Sequence, residues 1–144
     1  SGTLISCEAL DVVGLMEERL FIEHVDTEWC FRARAKGYRL FGICSARMNH
    51  RMGESRRSIW LGGWFGISVH APLRTYYLVR NGCFLLARGE VPLGWKVTEV
   101  IRLMALAGLQ MSWGPRRFAV LRMAMRGLFD ALRGRGGAFA AWRG

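Results

Sequence analysis

The three prolines of the chain constrain its fold more than any other feature, because each stands at the start of a long run that suits a helix. Proline fixes φ near the helical value and lacks the N–H that a first helical turn leaves unpaired. Pro72, Pro92 and Pro115 therefore predict three helices in the second half of the chain. We expect these helices over residues 73–87, 93–111 and 115–133.

The first half of the chain is divided by glycines instead. A short helix is predicted over residues 8–13, where Gly14 provides a left-handed C-cap. A second helix is predicted over residues 26–36, with Asp26 as its N-cap and Gly37 after its last turn. Extended segments are predicted over residues 3–5, 38–44 and 46–50, and a polar loop over residues 51–58.

Length and composition exclude several classes of protein. A chain of 144 residues suits one domain, and a hydrophobic content of 51% excludes global disorder. The four cysteines form no CxxC pair, which argues against a zinc ribbon or a dense disulfide framework and favours reduced thiols in the cytosol. We find no signal-peptide pattern and no 18-residue stretch without charge, so we expect no secretion signal and no spanning helix.

The net charge of +10 is unevenly distributed. Residues 1–54 carry eight acidic residues and seven Lys or Arg, whereas residues 55–144 carry three and fourteen. This asymmetry predicts two tasks, with chemistry in the acidic part and contact with an anionic surface in the basic part.

Two carboxylates at the start of the second predicted helix are candidates for catalysis. The helix dipole favours the ionised form of Asp26 and Glu28 there, and an ionised carboxylate beside a cleft can act as a general base. Both residues also have a structural interpretation. Asp26 would then only cap the helix, and Glu28 would only pair with Arg32 one turn later.

Two further residues have alternatives of the same kind. His50 follows an extended segment and precedes a glycine-containing loop, where an imidazole can bind a metal or simply pack. Arg80 falls within an apolar helical stripe that includes Tyr76 and Tyr77, so it must pair or reach solvent. A carboxylate partner would make Arg80 structural and a phosphate partner would make it functional, and the sequence favours the first.

The last predicted helix is both apolar and basic. Its apolar residues recur at helical spacing, and five arginines occupy much of the remainder (Arg116, Arg117, Arg122, Arg126 and Arg133). Such a helix suits the headgroup layer of an anionic membrane, and it equally suits packing on the domain with a solvated basic face. Nucleic acid could use the same charge, but we find no recognition motif and expect no specific nucleic-acid partner.

Four blocks together resemble bacterial family 2 glycosyltransferases, in particular rhamnosyltransferases that use dTDP-L-rhamnose. In chain order these blocks are SGTLIS, GLMEERLFIEHVDTEWCFRARAKGYRL, ARMNHRMGE and PLRTYYLVRN. The most specific pattern is acid–x–acid–Trp–Cys–x–Arg–Ala–x–x–x–Gly, followed by a histidine. The resemblance covers roughly residues 1–90 and corresponds to the C-terminal half of the family's enzymes.

The resemblance implies a fold and a division of the chain. The family has an α/β fold of the GT-A type, a nucleotide-binding sandwich around a mostly parallel sheet. Residues 1–58 would form the C-terminal part of this catalytic domain, with the acceptor, base and metal-binding segments. Residues 59–144 would form a helical, basic and membrane-associated extension.

The resemblance also implies an inverting transfer and roles for particular residues. Asp26 would be the general base that deprotonates the acceptor hydroxyl, and Glu28 would be the second acid of the motif. His50 would help to hold Mn²⁺ or Mg²⁺, which neutralises the leaving diphosphate. Ser1, Gly2, Thr3 and Trp29 would border the acceptor. The block with Tyr76, Tyr77, Arg80 and Asn81 recurs in relatives without an assigned role.

The implied partners are a dTDP-L-rhamnose donor and a saccharide or lipid-linked acceptor for cell-surface polysaccharide, at the cytoplasmic face of the cell membrane. The family's Asp-x-Asp metal motif is absent from this chain. The chain also begins without methionine, so we expect a fragment that is inactive without the family's N-terminal half. The alternative is a truncated, non-catalytic, basic interaction module at the membrane.

Overall fold

The structure is a computed structural model, and it describes residues 2–47, 71–113 and 116–139 together with the backbone of residues 56–60 and 64–68. In chain order the elements are α1 (Cys7–Val13), a 3₁₀ turn (Glu18–Leu20), α2 (Val25–Ala35), β1 (Arg56–Trp60), β2 (Trp64–Ser68), α3 (Pro72–Leu86), α4 (Leu93–Trp113) and α5 (Arg117–Leu132).

The three long helices follow the prediction made from the prolines. Pro72 occupies the first position of α3, and α4 begins directly after Pro92. The predicted and observed ends of all three helices differ by no more than two residues. These helices are confirmed because proline and the apolar periodicity act locally, within one or two turns.

The α3–α5 pair packs most closely, and a glycine allows it. A Cβ atom at Gly127 of α5 would lie 2.5 Å from the carbonyl oxygen of Tyr76 in α3. The two backbones can therefore approach only because position 127 has no side chain. This contact fixes which side of α5 faces the protein.

Two small cores hold the first part of the chain. Ala9 and Val13 of α1 pack against Trp29 and Ala33 of α2. A second cluster joins the N-terminal segment and α2 to α3 and the α3–α4 connection, through Leu20, Phe31, Leu85 and Val91. Buried contacts therefore join residues on both sides of position 58, and the division of the chain there stays a prediction.

The predicted α/β fold is wrong. Apart from one antiparallel pair of strands, in which Arg56 faces Ser68 and Trp60 faces Trp64, the described residues are helical or irregular, and no parallel sheet occurs among them. Residues 3–5 and 38–44 form no strand. A strand needs a neighbour to pair with, and Phe41 is instead 77% exposed in an unpaired segment.

Two smaller predictions in the first half are also corrected. The N-cap of α2 is His24 and not Asp26, which lies in the first turn. The predicted loop over residues 51–58 ends early, because β1 begins at Arg56 and residues 51–55 lie outside the described part. In that part, no helix is long and apolar enough to cross a membrane.

Candidate functional site

Asp26, the predicted base, is exposed in the first turn of α2. The chain enters this helix through residues 21–24, which we term the entry segment. Three of its residues have left-handed backbone angles, with φ of 61° at Phe21, 60° at Glu23 and 62° at His24. Such angles cost roughly 1–3 kcal/mol each in residues other than glycine, so other contacts must hold them.

Asn81 of α3 provides one of these contacts. Its side chain is fully buried, and Nδ2 lies within hydrogen-bond distance of the carbonyl oxygens of Leu20 (2.9 Å), Ile22 (2.6 Å) and Glu23 (3.0 Å). One amide group, with two hydrogens to donate, therefore serves three backbone carbonyls. Asn81 fixes the path of the entry segment immediately before Asp26.

Arg80 fixes the residues just before the entry segment. It is fully buried, and Nη2 donates to the carbonyl oxygens of Arg19 (3.1 Å) and Leu20 (3.0 Å). Its Nη1 donates to the carbonyl of Gly137 at 2.7 Å. A single buried guanidinium thus joins the start of the chain to its C-terminal part.

The charge of Arg80 is balanced without a direct carboxylate partner among the described residues. The rings of Tyr76 and Tyr77 lie 5.2 and 4.9 Å from the guanidinium carbon, a cation–π arrangement. Burial raises the pKa of the Tyr76 hydroxyl despite a hydrogen bond from Arg80, so this hydroxyl stays protonated and donates to Asp130 at 3.0 Å. These contacts give Arg80 a structural environment, although carbonyls and rings replace the carboxylate expected from the sequence.

Residues 134–139, which we term the C-terminal strap, complete this arrangement. Arg19 donates to the carbonyl of Gly134 at 2.9 Å, and the backbone N–H of Gly137 donates to the carbonyl of Arg19 at 2.6 Å. The N–H of Phe139 donates to the Tyr77 hydroxyl at 2.7 Å. The strap therefore packs against both Arg80 and Arg19.

Glu28, the second predicted acid, faces the interior. Only 1% of it is exposed, and Oε1 accepts from Arg32 Nε at 2.7 Å and pairs with Arg88. Arg32 also donates to the carbonyls of Val13 and Leu15 at 2.8 and 2.7 Å. The pairing with Arg32 expected from helical spacing is present. Glu28 therefore joins α2 to the segment after α1 and to the end of α3.

Sequence reasoning gave no role to His24, yet this residue fixes the start of α2 to α4. His24 Nε2 lies 3.1 Å from Oε1 of Glu99, and Arg102 donates to the same carboxylate. Burial works against the charge of Glu99, but the hydrogen bonds from His24 and Arg102 outweigh it and lower the pKa of Glu99 to about 2. No local signal identifies this pair, because its members lie 75 residues apart.

The other predicted site residues lie apart from Asp26's surface or outside the described residues. Trp29 is buried, and its Nε1 donates to the carbonyl of Gly14 at 2.8 Å. Gly2 and Thr3 are exposed at the start of the chain. Ser1 and His50 lie outside the described part. The structure brings Tyr76, Tyr77, Arg80 and Asn81 together beneath the segment that leads to Asp26.

No cluster of metal ligands adjoins Asp26 in the described part. Within residues 2–47, 71–113 and 116–139, no three His, Cys, Asp or Glu side chains converge as metal ligands. Because His50 lies outside the described part, the site for Mn²⁺ or Mg²⁺ stays a prediction. The cavity between α3, α4 and α5 is about 50 Å³ and apolar, lined by residues such as Leu78, Leu106 and Val120.

Comparison with known proteins relates the chain to a sugar transferase. The chain is similar to dTDP-rhamnosyl transferase RfbF of Shigella flexneri, with 34% identity over 134 residues. The match covers 93% of this chain and 44% of that protein, so the chain spans less than half of the relative's length. No family model matches the chain, and no solved structure does. The resemblance to rhamnosyltransferases is thus confirmed as a sequence relationship.

Proposed function

We propose that the protein is a glycosyltransferase that moves a rhamnosyl group from dTDP-rhamnose to a hydroxyl group of a saccharide or lipid-linked acceptor. The similarity to dTDP-rhamnosyl transferase RfbF carries this proposal, since it extends over 93% of the chain and includes the segment around Asp26. This chain would contribute the part that activates the acceptor.

Asp26 is the base in this proposal. Its carboxylate accepts the proton of the acceptor hydroxyl, and the oxygen forms a bond to the anomeric carbon of the donor sugar. The bond from that carbon to the diphosphate oxygen breaks, and dTDP leaves with the electron pair. Exposure and a position in the first turn of α2 support this role, because an acceptor hydroxyl can reach the carboxylate there.

Glu28 and the buried donors of α3 support Asp26 indirectly in this proposal. Glu28 is buried, and Arg32 and Arg88 both bind its Oε1, so its part is to hold α2 in place. Arg80 and Asn81 hold the backbone that enters α2. A base must be placed within a few tenths of an ångström to be effective, and such buried contacts supply that rigidity. Dependence on Mn²⁺ or Mg²⁺ through His50 stays a prediction.

The experiment uses the protein as the cell makes it. Release of dTDP from dTDP-rhamnose is measured with a lipid-linked saccharide acceptor, and donor binding is measured separately by calorimetry. Asp26→Asn should lower kcat by a factor of roughly 10²–10⁴ and leave donor binding unchanged. Asp11→Asn, at another exposed helical aspartate, is the matched control and should keep full activity. Normal turnover in Asp26→Asn would refute the assignment of the base.

A further inference from the structure

α4 presents an unusual surface, because its charges face the protein and its apolar side faces solvent. The three charged residues of the helix, Lys96, Glu99 and Arg102, are buried or half-buried. Its exposed positions carry no charged residue, and large apolar side chains recur along them, with Met104 70% exposed. The others are Leu93, Val97, Val100, Ile101 and Met111. A helix on a solvated surface has the opposite pattern.

α5 also exposes its apolar stripe. The glycine contact with α3 turns Val120, Gly127 and Asp130 inward, so the predicted apolar stripe points away from the protein. Phe118 and Leu132 at its two ends are 77% and 81% exposed. The helix therefore packs through a face other than its apolar one. The remaining members of the stripe are Leu121, Met125, Leu128 and Phe129.

Arginines border this stripe. Helical spacing places Arg122, Arg126 and Arg133 along one flank of α5 and Arg117 along the other. The guanidinium carbon of Arg133 lies 3.8 Å from the centre of the Phe129 ring, and that of Arg117 lies 5.3 Å from the Phe118 ring. The arginines on the two flanks of α5 thus lie directly beside the apolar side chains of the stripe.

The exposed charges in the described part of residues 91–144 are all positive. Residues 91–144 contain nine Lys or Arg and only two acidic residues, Glu99 and Asp130. Both acidic side chains are buried and engaged internally, Glu99 by His24 and Arg102, and Asp130 by Tyr76 and Arg126. No carboxylate in the described part of this region is left to balance the exposed arginines.

We propose that the exposed sides of α4 and α5, which we term the α4–α5 face, bind the surface of an anionic lipid bilayer. The two stripes meet where Met111 and Leu121 line the same cavity. Apolar side chains enter the boundary between headgroups and acyl chains, and the flanking arginines reach the lipid phosphates. Large exposed apolar surfaces mark interaction sites, and the charge identifies this one as a site for anions.

The distribution of charge also favours an anionic bilayer over a second copy of the protein or a nucleic acid. In a symmetric dimer built on this face, the arginines of one copy would oppose those of the other. A nucleic acid would neutralise the arginines but leave the apolar stripes of both helices in water. An anionic bilayer satisfies both kinds of side chain at once.

The test is vesicle flotation with the purified protein. Binding is compared for vesicles of phosphatidylglycerol and phosphatidylcholine in equal parts and for vesicles of phosphatidylcholine alone, at low and high salt. We expect binding to the anionic vesicles that weakens with salt. The double variant Arg122→Glu, Arg133→Glu should bind at least about tenfold less, since each basic residue contributes about fivefold at such a surface.

Matched variants separate this surface from net charge and from folding. The pair Arg34→Glu, Arg47→Glu makes the same change in charge at exposed positions of the first half and should keep binding within about twofold. The pair Ile101→Asp, Met104→Asp tests the apolar side chains and should also abolish flotation. All these side chains are exposed or on the surface, so circular dichroism should show unchanged helix content.

Three results would overturn the proposal. The first is equal binding to neutral and anionic vesicles. The second is a loss of binding in the Arg34→Glu, Arg47→Glu control as large as that in Arg122→Glu, Arg133→Glu. The third is a protein that does not float but self-associates, with Met104→Asp disrupting the self-association. The test is independent of transfer activity, because Asp26→Asn should float normally. A protein that floats but has no transferase activity would support the bilayer surface and refute the proposed enzyme.

Discussion

The buried side chains near Asp26 donate hydrogen bonds mainly to backbone carbonyls and less often to other side chains. Asn81 is the main example, since one buried amide meets three carbonyl oxygens of the segment leading to α2. Without it, the carbonyls of Ile22 and Glu23 would lose this donor, whereas that of Leu20 would still accept from Arg80. The unusual φ angles at Phe21, Glu23 and His24 persist because these donors hold them.

Glu99 is expected to make stability depend on pH in the acid range. Its pKa is about 2 in the folded protein against an ordinary value of 4.5, so the folded state favours the ionised carboxylate. This contribution is complete above about pH 4.5 and disappears as the pH falls towards 2. Glu99→Gln should therefore lower the free energy of unfolding by up to about 3 kcal/mol at pH 6, and by much less at pH 2. Urea unfolding at a series of pH values measures this difference.

Glu8→Gln is the control for that series, because Glu8 is exposed on α1. It should unfold like the parent protein at each pH. A deficit in Glu99→Gln that stays constant from pH 6 to pH 2 would mean that the contacts of Glu99 with His24 and Arg102 do not set the acid stability.

Among the helices, α5 gets its orientation from one position. Gly127 lies against the backbone of Tyr76, and this approach turns the apolar stripe of α5 outward. Apolar periodicity alone leaves both orientations open, with residues such as Phe118 and Leu132 either packed inward or exposed. A hydrophobic pattern does not predict a packing contact between two backbones, and the glycine is the only sequence feature that indicates this one.

Gly127→Ala is expected to destabilise the protein although alanine favours helices. The added methyl group would lie 2.5 Å from a carbonyl oxygen, so α3 and α5 must separate, at a cost of about 1–3 kcal/mol. Gly108→Ala in α4 is the matched control, because nothing lies within 4 Å of its Cβ position. That variant should gain up to about 1 kcal/mol. Thermal unfolding of both variants measures the contrast, and equal melting temperatures would contradict the tight contact.

Across the whole molecule, features that depend on neighbours in sequence were predictable and features that depend on distant residues were not. Pro72, Pro92 and Pro115 marked the helices because capping is local. No strand forms over residues 38–44, because an alternating hydrophobic pattern does not show which other strand would pair with it. The surroundings of Arg80 were equally hidden, since its acceptors come from residues 19, 20 and 137. The role of Asp26 as a base rests on its motif and stays a prediction, whereas the burial of Glu28 is known only from the structure.

Removal of residues 134–144 is expected to weaken the whole protein. The chain would lose the Gly137 carbonyl that accepts from Arg80 and the Phe139 ring that packs 4.8 Å from Tyr76. Partial exposure of a buried guanidinium and an aromatic pair should lower the free energy of unfolding by about 2–4 kcal/mol. Chemical unfolding measures this, with a chain ending at residue 139 as the control. Equal stability of the two truncated chains would exclude a structural role for the strap.

The position of the strap also affects when the protein can fold during synthesis. Arg80 holds the segment that leads to Asp26 and also donates to the carbonyl of Gly137, 57 residues later in the sequence. Contacts that span such sequence distances form slowly, because a long loop must close first. During synthesis, Arg80 and the residues that it holds therefore leave the ribosome before the strap does. The segment before Asp26 reaches its final contacts only after residue 137 has been translated.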